Sequence, residues 1–304
     1  MPAPIPPPRV DGWTRTTPVP LYWAAYGPAG SSRVLVLHGG PGAHHDYLLP
    51  QMLDLADEWE LVFYDQRGGG RSRTDARTPI GWRTQVDDMA LVARELALDP
   101  LSVIGYSWGG LLALLYSAVA AGAVGPALPV NAPAPRRLVL IDPASPTRAL
   151  RQQFETELAR RQAGAVIQRM RSELLASGLR ERDVDAYRQR LFELGVAGYF
   201  ADPERARDLT PFRVTGRVQQ SVWESLGDFD LRAALGDVRA PTLVLHGRED
   251  PIPLASSEAI AHAMPHATLE VLDGSGHVPY VEARDALFAS VRRFLRDTEP
   301  LISS

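Results

Sequence analysis

Gly105-Tyr106-Ser107-Trp108-Gly109 is the segment whose residue types and spacing point most directly to chemistry. This G-x-S-x-G pattern follows the continuous apolar run Leu101–Ile104 and precedes a stretch of helical character starting at Trp108. A sharp turn from strand to helix is crowded, so the flanking positions two before and two after the serine must be small, as Gly105 and Gly109 are. The same turn lifts the serine hydroxyl to a helix N-terminus, where it can meet a substrate. In that context Ser107 is a nucleophile; without the flanking elements the five residues would be an ordinary turn.

A serine hydroxyl is a weak nucleophile and needs a base, which in turn needs an orienting acid. The chain has seven histidines. His277 lies in Gly274-Ser275-Gly276-His277-Val278-Pro279, past the run Thr268–Leu272, on a loop able to carry an imidazole over a sheet edge. His262 and His266 fall near a helix end and read as solvated. His246 ends an apolar run beside Gly247 and reads as packed. His38, His44 and His45 precede the nucleophile, the wrong order for an elbow enzyme. For the acid, Asp250 follows Thr242–Leu245 by a short loop and gives the chain order nucleophile, acid, base. Asp142 is its rival, because it also ends an apolar run; its plain reading is a turn residue before Pro143. Glu249 should point away by alternation. The oxyanion of a tetrahedral intermediate needs preorganised N–H donors. Trp108 supplies one, and the loop His38-Gly39-Gly40-Pro41-Gly42 the other, with Gly40 favoured and Gly39 next; Pro41 has no N–H to give.

These residues must be held by a sheet. Val34–Leu37, Leu61–Tyr64, Leu101–Ile104, Leu138–Ile141 and Thr242–Leu245 are continuous apolar runs, as expected of strands buried on both faces of a parallel sheet. Helical patterns alternate with them over Trp82–Ala97 and Trp108–Ala121. The alternation predicts an α/β fold with a mostly parallel central sheet flanked by helices. Ala123–Arg136, rich in Pro and Ala, reads as a long loop. From about Ser145 to Leu226 the chain is charged and helical in period, with no strand-like run. The expected organisation is a core of residues 1–143 and 229–304, with residues 1–10 a flexible, proline-rich tail, interrupted by an all-helical cap over 144–228 that would lie above the site.

Composition narrows the chemistry. The 304 residues are 45% hydrophobic, enough for a large core, and carry a net charge of −4. Neither a nucleic-acid nor a membrane partner is expected without a basic face. Absence of cysteine excludes disulfides, thiolate metal sites and a cysteine nucleophile. All 32 Lys+Arg positions are arginine, which excludes a Walker lysine and Schiff-base chemistry. Met1–Val10 lacks an apolar stretch like that of a signal peptide, and no run is long enough to span a bilayer, so a cytoplasmic location is expected.

His38-Gly39-Gly40-Pro41-Gly42, Asp65-Gln66-Arg67-Gly68-Gly69-Gly70-Arg71-Ser72, Ser107-Trp108-Gly109-Gly110, His246-Gly247-Arg248-Glu249-Asp250 and Gly276-His277 together resemble the proline iminopeptidase group of α/β-hydrolases, over roughly residues 20–143 and 229–297. The resemblance implies an α/β-hydrolase fold with a helical cap and a serine peptidase that releases N-terminal residues from small peptides or amides. It implies no metal and no organic cofactor. Two departures stand out. That group often carries cysteine where this chain has Gly69. Related aminopeptidases hold the substrate amine with cap glutamates, and where one would precede Phe212 this chain has Pro211. Glu224, beside Trp223, is the candidate replacement for amine binding; its plain reading is a solvated helix face. The Asp65-Gln66-Arg67 motif reads as a structural brace for the oxyanion loop rather than an anion site. The alternative to the aminopeptidase is a carboxylesterase with the same triad, and a further one is a catalytically silent binding module.

Overall fold

The computed structural model describes residues 4–297. Eight strands form one sheet: β1 (Val10–Trp13), β2 (Tyr22–Tyr26), β3 (Arg33–Leu37), β4 (Glu60–Tyr64), β5 (Leu101–Tyr106), β6 (Pro135–Ile141), β7 (Thr242–Gly247) and β8 (Ala267–Leu272). Their spatial order is β1-β2-β4-β3-β5-β6-β7-β8. The pairs β1–β2 and β2–β4 are antiparallel and the rest parallel. Every apolar run read as a strand lies inside β3 to β7. β1 and β2 were not anticipated. Val10-Asp11-Gly12-Trp13 is largely exposed and has no apolar period, and Tyr22–Tyr26 lacks β-branched residues; they form a strand pair on an edge. The expected tail therefore ends early. Val10 opens β1, and the Arg9 N–H donates to the Ala25 carbonyl at 2.9 Å. Residues 1–3 of that tail, and 298–304 of the core, lie outside the described residues.

Helices α1 (Trp82–Glu95) and α2 (Trp108–Ala120) occupy the predicted segments. Between β6 and β7 the chain forms α3 (Arg148–Gln162), α4 (Ala165–Ala176), α5 (Leu179–Arg182), α6 (Val184–Val196) and α7 (Gly216–Leu226), with 3-10 turns at Ala197–Tyr199 and Pro203–Asp208. Then α8 (Arg232–Leu235) leads back to β7, α9 (Leu254–Ala263) precedes β8, and α10 (Pro279–Glu282) and α11 (Arg284–Arg296) close the fold. The helical reading of 145–226 matches this succession.

The sheet separates two apolar cores. One gathers α1, α2, α8 and α9 and includes Val218 and Val222 of α7. The other gathers α11 and the 3-10 turns, and includes Ile167, Leu174 and Leu194 from α4 and α6. The inserted helices are thus rooted on both faces. The ladder also continues past the strand ends. Ser107 donates its N–H to the Ile141 carbonyl, Asp142 to Leu245 and Arg248 to Leu272, at 2.8–2.9 Å. The residues after β5, β6, β7 and β8 therefore emerge side by side at the carboxyl edge, where sites of such sheets form.

Candidate active site

Ser107 sits between β5 and α2 at φ +53°, a left-handed conformation that a serine adopts only under constraint. The constraint is visible at Gly109, where a Cβ would run into the Leu37 carbonyl oxygen of β3. Close passage of α2 over β3 thus requires the second glycine of the elbow. Ser107 is half-buried, and its Oγ lies 3.0 Å from His277 Nε2. His277 Nδ1 lies 2.8 Å from Asp250 Oδ2. Asp250 Oδ1 accepts the Ile252 N–H at 2.7 Å. The three residues read from the sequence are therefore joined in one hydrogen-bonded chain.

The imidazole is pinned from both sides. Its backbone N–H donates to the Tyr199 carbonyl at 2.7 Å, and its carbonyl accepts from the Tyr106 hydroxyl at 2.9 Å. The Tyr106 and Tyr199 rings flank it, with centroids at 5.2 and 5.3 Å. Tyr199 belongs to the inserted segment, so that segment helps to orient the ring. Burial holds His277 down at about 4, which keeps it neutral at rest and able to accept a proton. Burial pushes Asp250 up, and the neighbouring Asp142 carboxyl and the Ile252 N–H oppose that push.

Gly40 and Trp108 have N–H groups that donate to no hydrogen bond among the described residues, and Gly40 is partly exposed. Gly39 differs from the expectation. It is buried, and its N–H donates to the Tyr47 hydroxyl at 2.6 Å, so it is already spent. Gln66 bridges the two halves of this region. Its Nε2 donates to the His38 carbonyl at 2.9 Å and its Oε1 accepts the Trp108 indole N–H at 2.8 Å. Sequence reading expected a brace from the motif but did not single out Gln66 or Tyr47. Arg67 turns away to pair with Asp88 of α1, at 2.7 and 2.5 Å. Gly69 faces the same loop: a Cβ there would strike the Ala43 carbonyl oxygen, so this backbone has no room for the cysteine of the resembled group.

The remaining histidines fall as read, whereas Asp142, read as a turn residue before Pro143, is fully buried beside β7. His262 and His266 are exposed, and His246 is buried. Glu249 accepts the Ser275 N–H at 3.0 Å and does not line the cavity. Asp142, His246 and Asp250 bring potential ligand atoms within 4.8 Å of one another. His246 has nothing left for a cation, however. Nε2 must donate to the Ile252 carbonyl at 3.1 Å, and Nδ1 then accepts from the Ser257 hydroxyl at 2.9 Å.

Ser107 and His277 open onto a cavity of about 990 Å³, whose walls include Tyr47, Tyr106, Trp108, Phe154, Phe192, Tyr199 and Phe212. Trp223 and Glu224 also line it. Trp223 packs edge-on against Trp108 with centroids at 5.2 Å, and the Arg151 guanidinium covers it 3.8 Å above the ring. Glu224 is exposed and accepts from Gln220 at 2.7 Å. Among the described residues no helix is long and apolar enough to cross a membrane.

A family model described as alpha/beta hydrolase fold matches residues 32–283. The chain is 30% identical over 268 residues to a pimeloyl-[acyl-carrier protein] methyl ester esterase of Xanthomonas oryzae pv. oryzae (strain MAFF 311018), covering 88% of this chain and 96% of that one. It is 26% identical over 277 residues to a proline iminopeptidase of Heyndrickxia coagulans, covering 88% and 91%. The crystal structure of a proline iminopeptidase from Mycobacterium smegmatis superposes with a TM-score of 0.66 at 20% identity, over 94% of this chain and 97% of that one.

Proposed function

The chain belongs to the alpha/beta hydrolase fold family, and from that premise we propose a serine hydrolase that works through an acyl-enzyme on small esters or amides with an apolar acyl group. The observation that carries this reading is the hydrogen-bonded chain Ser107–His277–Asp250, whose serine and histidine open onto a cavity with many aromatic side chains in its walls. In the proposed mechanism Ser107 Oγ attacks the substrate carbonyl while His277 Nε2 takes its proton. The N–H groups of Gly40 and Trp108 hold the oxyanion. His277 then protonates the leaving alcohol or amine, and a water activated by the same imidazole releases the acid and frees Ser107. Residues 144–228 act as the cap that shapes the cavity and orients His277 through Tyr199.

The charges around the cavity favour an uncharged acyl group over a free N-terminal amine. A buried ammonium requires a carboxylate partner. Of the two glutamates lining the cavity, Glu155 is paired with Arg151 at 2.6 Å and Glu224 is exposed, while Arg148 adds positive charge to the same wall. The aminopeptidase remains the second reading, because Glu224 shares a cavity with Ser107. A panel of short and aromatic acyl esters beside aminoacyl-naphthylamides, proline included, decides between them. The ester reading expects turnover of N-blocked and simple acyl esters that Glu224→Gln leaves unchanged. Selective cleavage of free-amine substrates, with KM raised by Glu224→Gln, makes the enzyme an aminopeptidase. In either case Ser107→Ala should abolish turnover and fluorophosphonate labelling; labelling that persists on another serine removes the nucleophile assignment.

A further inference from the structure

Behind the Asp250–His277 bond lies an acid that this mechanism does not use. Asp142 ends β6 at φ +42° and is fully buried. Its Oδ1 accepts the Gly247 N–H at 2.7 Å. Its Oδ2 is buried with no hydrogen-bond partner among the described residues. The two aspartates belong to one cluster whose ligand atoms lie within 4.8 Å of one another.

Nothing in this cluster is placed to balance two negative charges. His246, from β7, is neutral through its bonds to Ile252 and Ser257. His277 directs Nδ1 to Asp250. Tyr106 of β5 gives its hydroxyl to the His277 carbonyl. Tyr280 and Glu282 of α10, and Tyr199 of the inserted segment, add no positive charge. Arg161 of α3 acts on Asp250 from a distance and gives its own N–H to the Glu249 carbonyl. Two adjacent carboxyls in a dry site cannot both ionise without large cost. Asp250 accepts from Ile252 and His277, whereas Asp142 Oδ2 accepts from nothing; the shared proton therefore belongs to Asp142.

We propose that Asp142 is carried as a neutral carboxylic acid whose Oδ2–H is donated to Asp250, making it a positioning residue that steadies the ionised acid behind His277. The proposal rests on Asp250 being the acid of the triad. Burial, with Asp250 as the next cause, raises Asp142 well above the ordinary carboxyl range, which agrees with the geometry.

The test is the pH dependence of kcat/KM for wild type, Asp142→Asn and Asp142→Ala, with Asp250→Asn alongside. Asparagine keeps a carbonyl for Gly247 and an N–H for Asp250, so its profile should stay within about twofold of wild type. Alanine removes the donor. Its kcat should fall by about tenfold, and its acidic limb should move up by about half to one pH unit, because the ionised dyad loses a stabilising hydrogen bond. A profile for Asp142→Ala that keeps the wild-type limb while only Tm drops would make Asp142 a packing residue. An Asp142→Asn enzyme as impaired as Asp142→Ala would mean that an ionised Asp142 is needed. Should alanine prevent folding, the infrared C=O stretch of a buried protonated carboxyl decides: present in wild type and lost in Asp142→Asn, or absent from both and the proposal overturned. Full activity of Asp250→Asn would instead remove the triad assignment itself.

Discussion

In the proposed site, Tyr47 takes one backbone N–H of the oxyanion loop out of play for a substrate. By accepting from Gly39 it satisfies one buried donor and leaves Gly40 uncommitted. Tyr47→Phe orphans the Gly39 N–H, which costs about 1–3 kcal/mol for a buried group. Urea unfolding should register that loss. The kcat should also fall by about tenfold with little change in KM, less than the hundredfold or more that follows outright deletion of an oxyanion donor. Unchanged stability and kcat would mean that Tyr47 does not hold the loop. At this scale the residues of the proposed triad could be drawn from the chain alone, because Ser107, Asp250 and His277 each follow an apolar run that reads as a strand. Hydrogen-bond partners were not readable. Nothing in the spacing of Gly39, Gln66 and Tyr47 says that one glycine is spent on a tyrosine, or that one glutamine ties His38 to Trp108.

The helices between β6 and β7 are not one loose flap. The α7 helix is stitched to the core along its length: Thr215 donates its N–H to the Gly42 carbonyl at 2.9 Å, Ser221 Oγ to the Ile80 carbonyl at 2.6 Å, and Trp82 donates its N–H to Ser225 Oγ at 2.8 Å. Val218 and Val222 are fully buried beneath it. Val222→Ala should therefore cost the whole protein about 2 kcal/mol, from two lost methyl-sized groups plus a residual cavity. It should raise KM as well, since Trp223 shares that turn and lines the cavity. A lid that swung free would leave denaturant unfolding untouched. The helical character of this region was legible in its period, but its attachment was not. The contacts run from α7 to the loop at Gly42 and to the residues before α1, far away in sequence. The strands β1 and β2 escaped the reading for different reasons: β1, at the edge, is held by pairing rather than by an apolar pattern, whereas β2 is a short aromatic and alanine run buried between β1 and β4.

Across the whole molecule, buried titratable groups act in opposite directions on acid stability. Burial holds His38, His246 and His277 at about 4 in the fold. The unfolded chain takes up these protons as pH falls through about 6.5 and the folded chain does not, so their contribution is lost between about 6.5 and 4. Asp142, raised by burial, works the other way: the fold keeps a proton that the unfolded chain releases above about 3.8, so acid favours the fold. Asp142→Asn removes one such opposing group. Its unfolding free energy relative to wild type should rise with pH by about 1.4 kcal/mol per unit from about 4 upward. Urea titrations at several pH values measure the difference, and parallel curves would mean that Asp142 is ionised in the fold.

The pairing of β6 with β7 also bears on when the proposed site is assembled. These neighbours in the sheet are separated in the chain by the whole stretch from Ile141 to Thr242. Closing so long a loop is entropically late, and parallel pairing of distant strands is slow. During synthesis the elbow serine and the oxyanion loop emerge first, while the aspartate and the histidine emerge only after the helical stretch has been made. A nascent or partly folded chain therefore carries the proposed nucleophile without its proposed base. The proposed chemistry is therefore complete only once the carboxy-terminal strands dock.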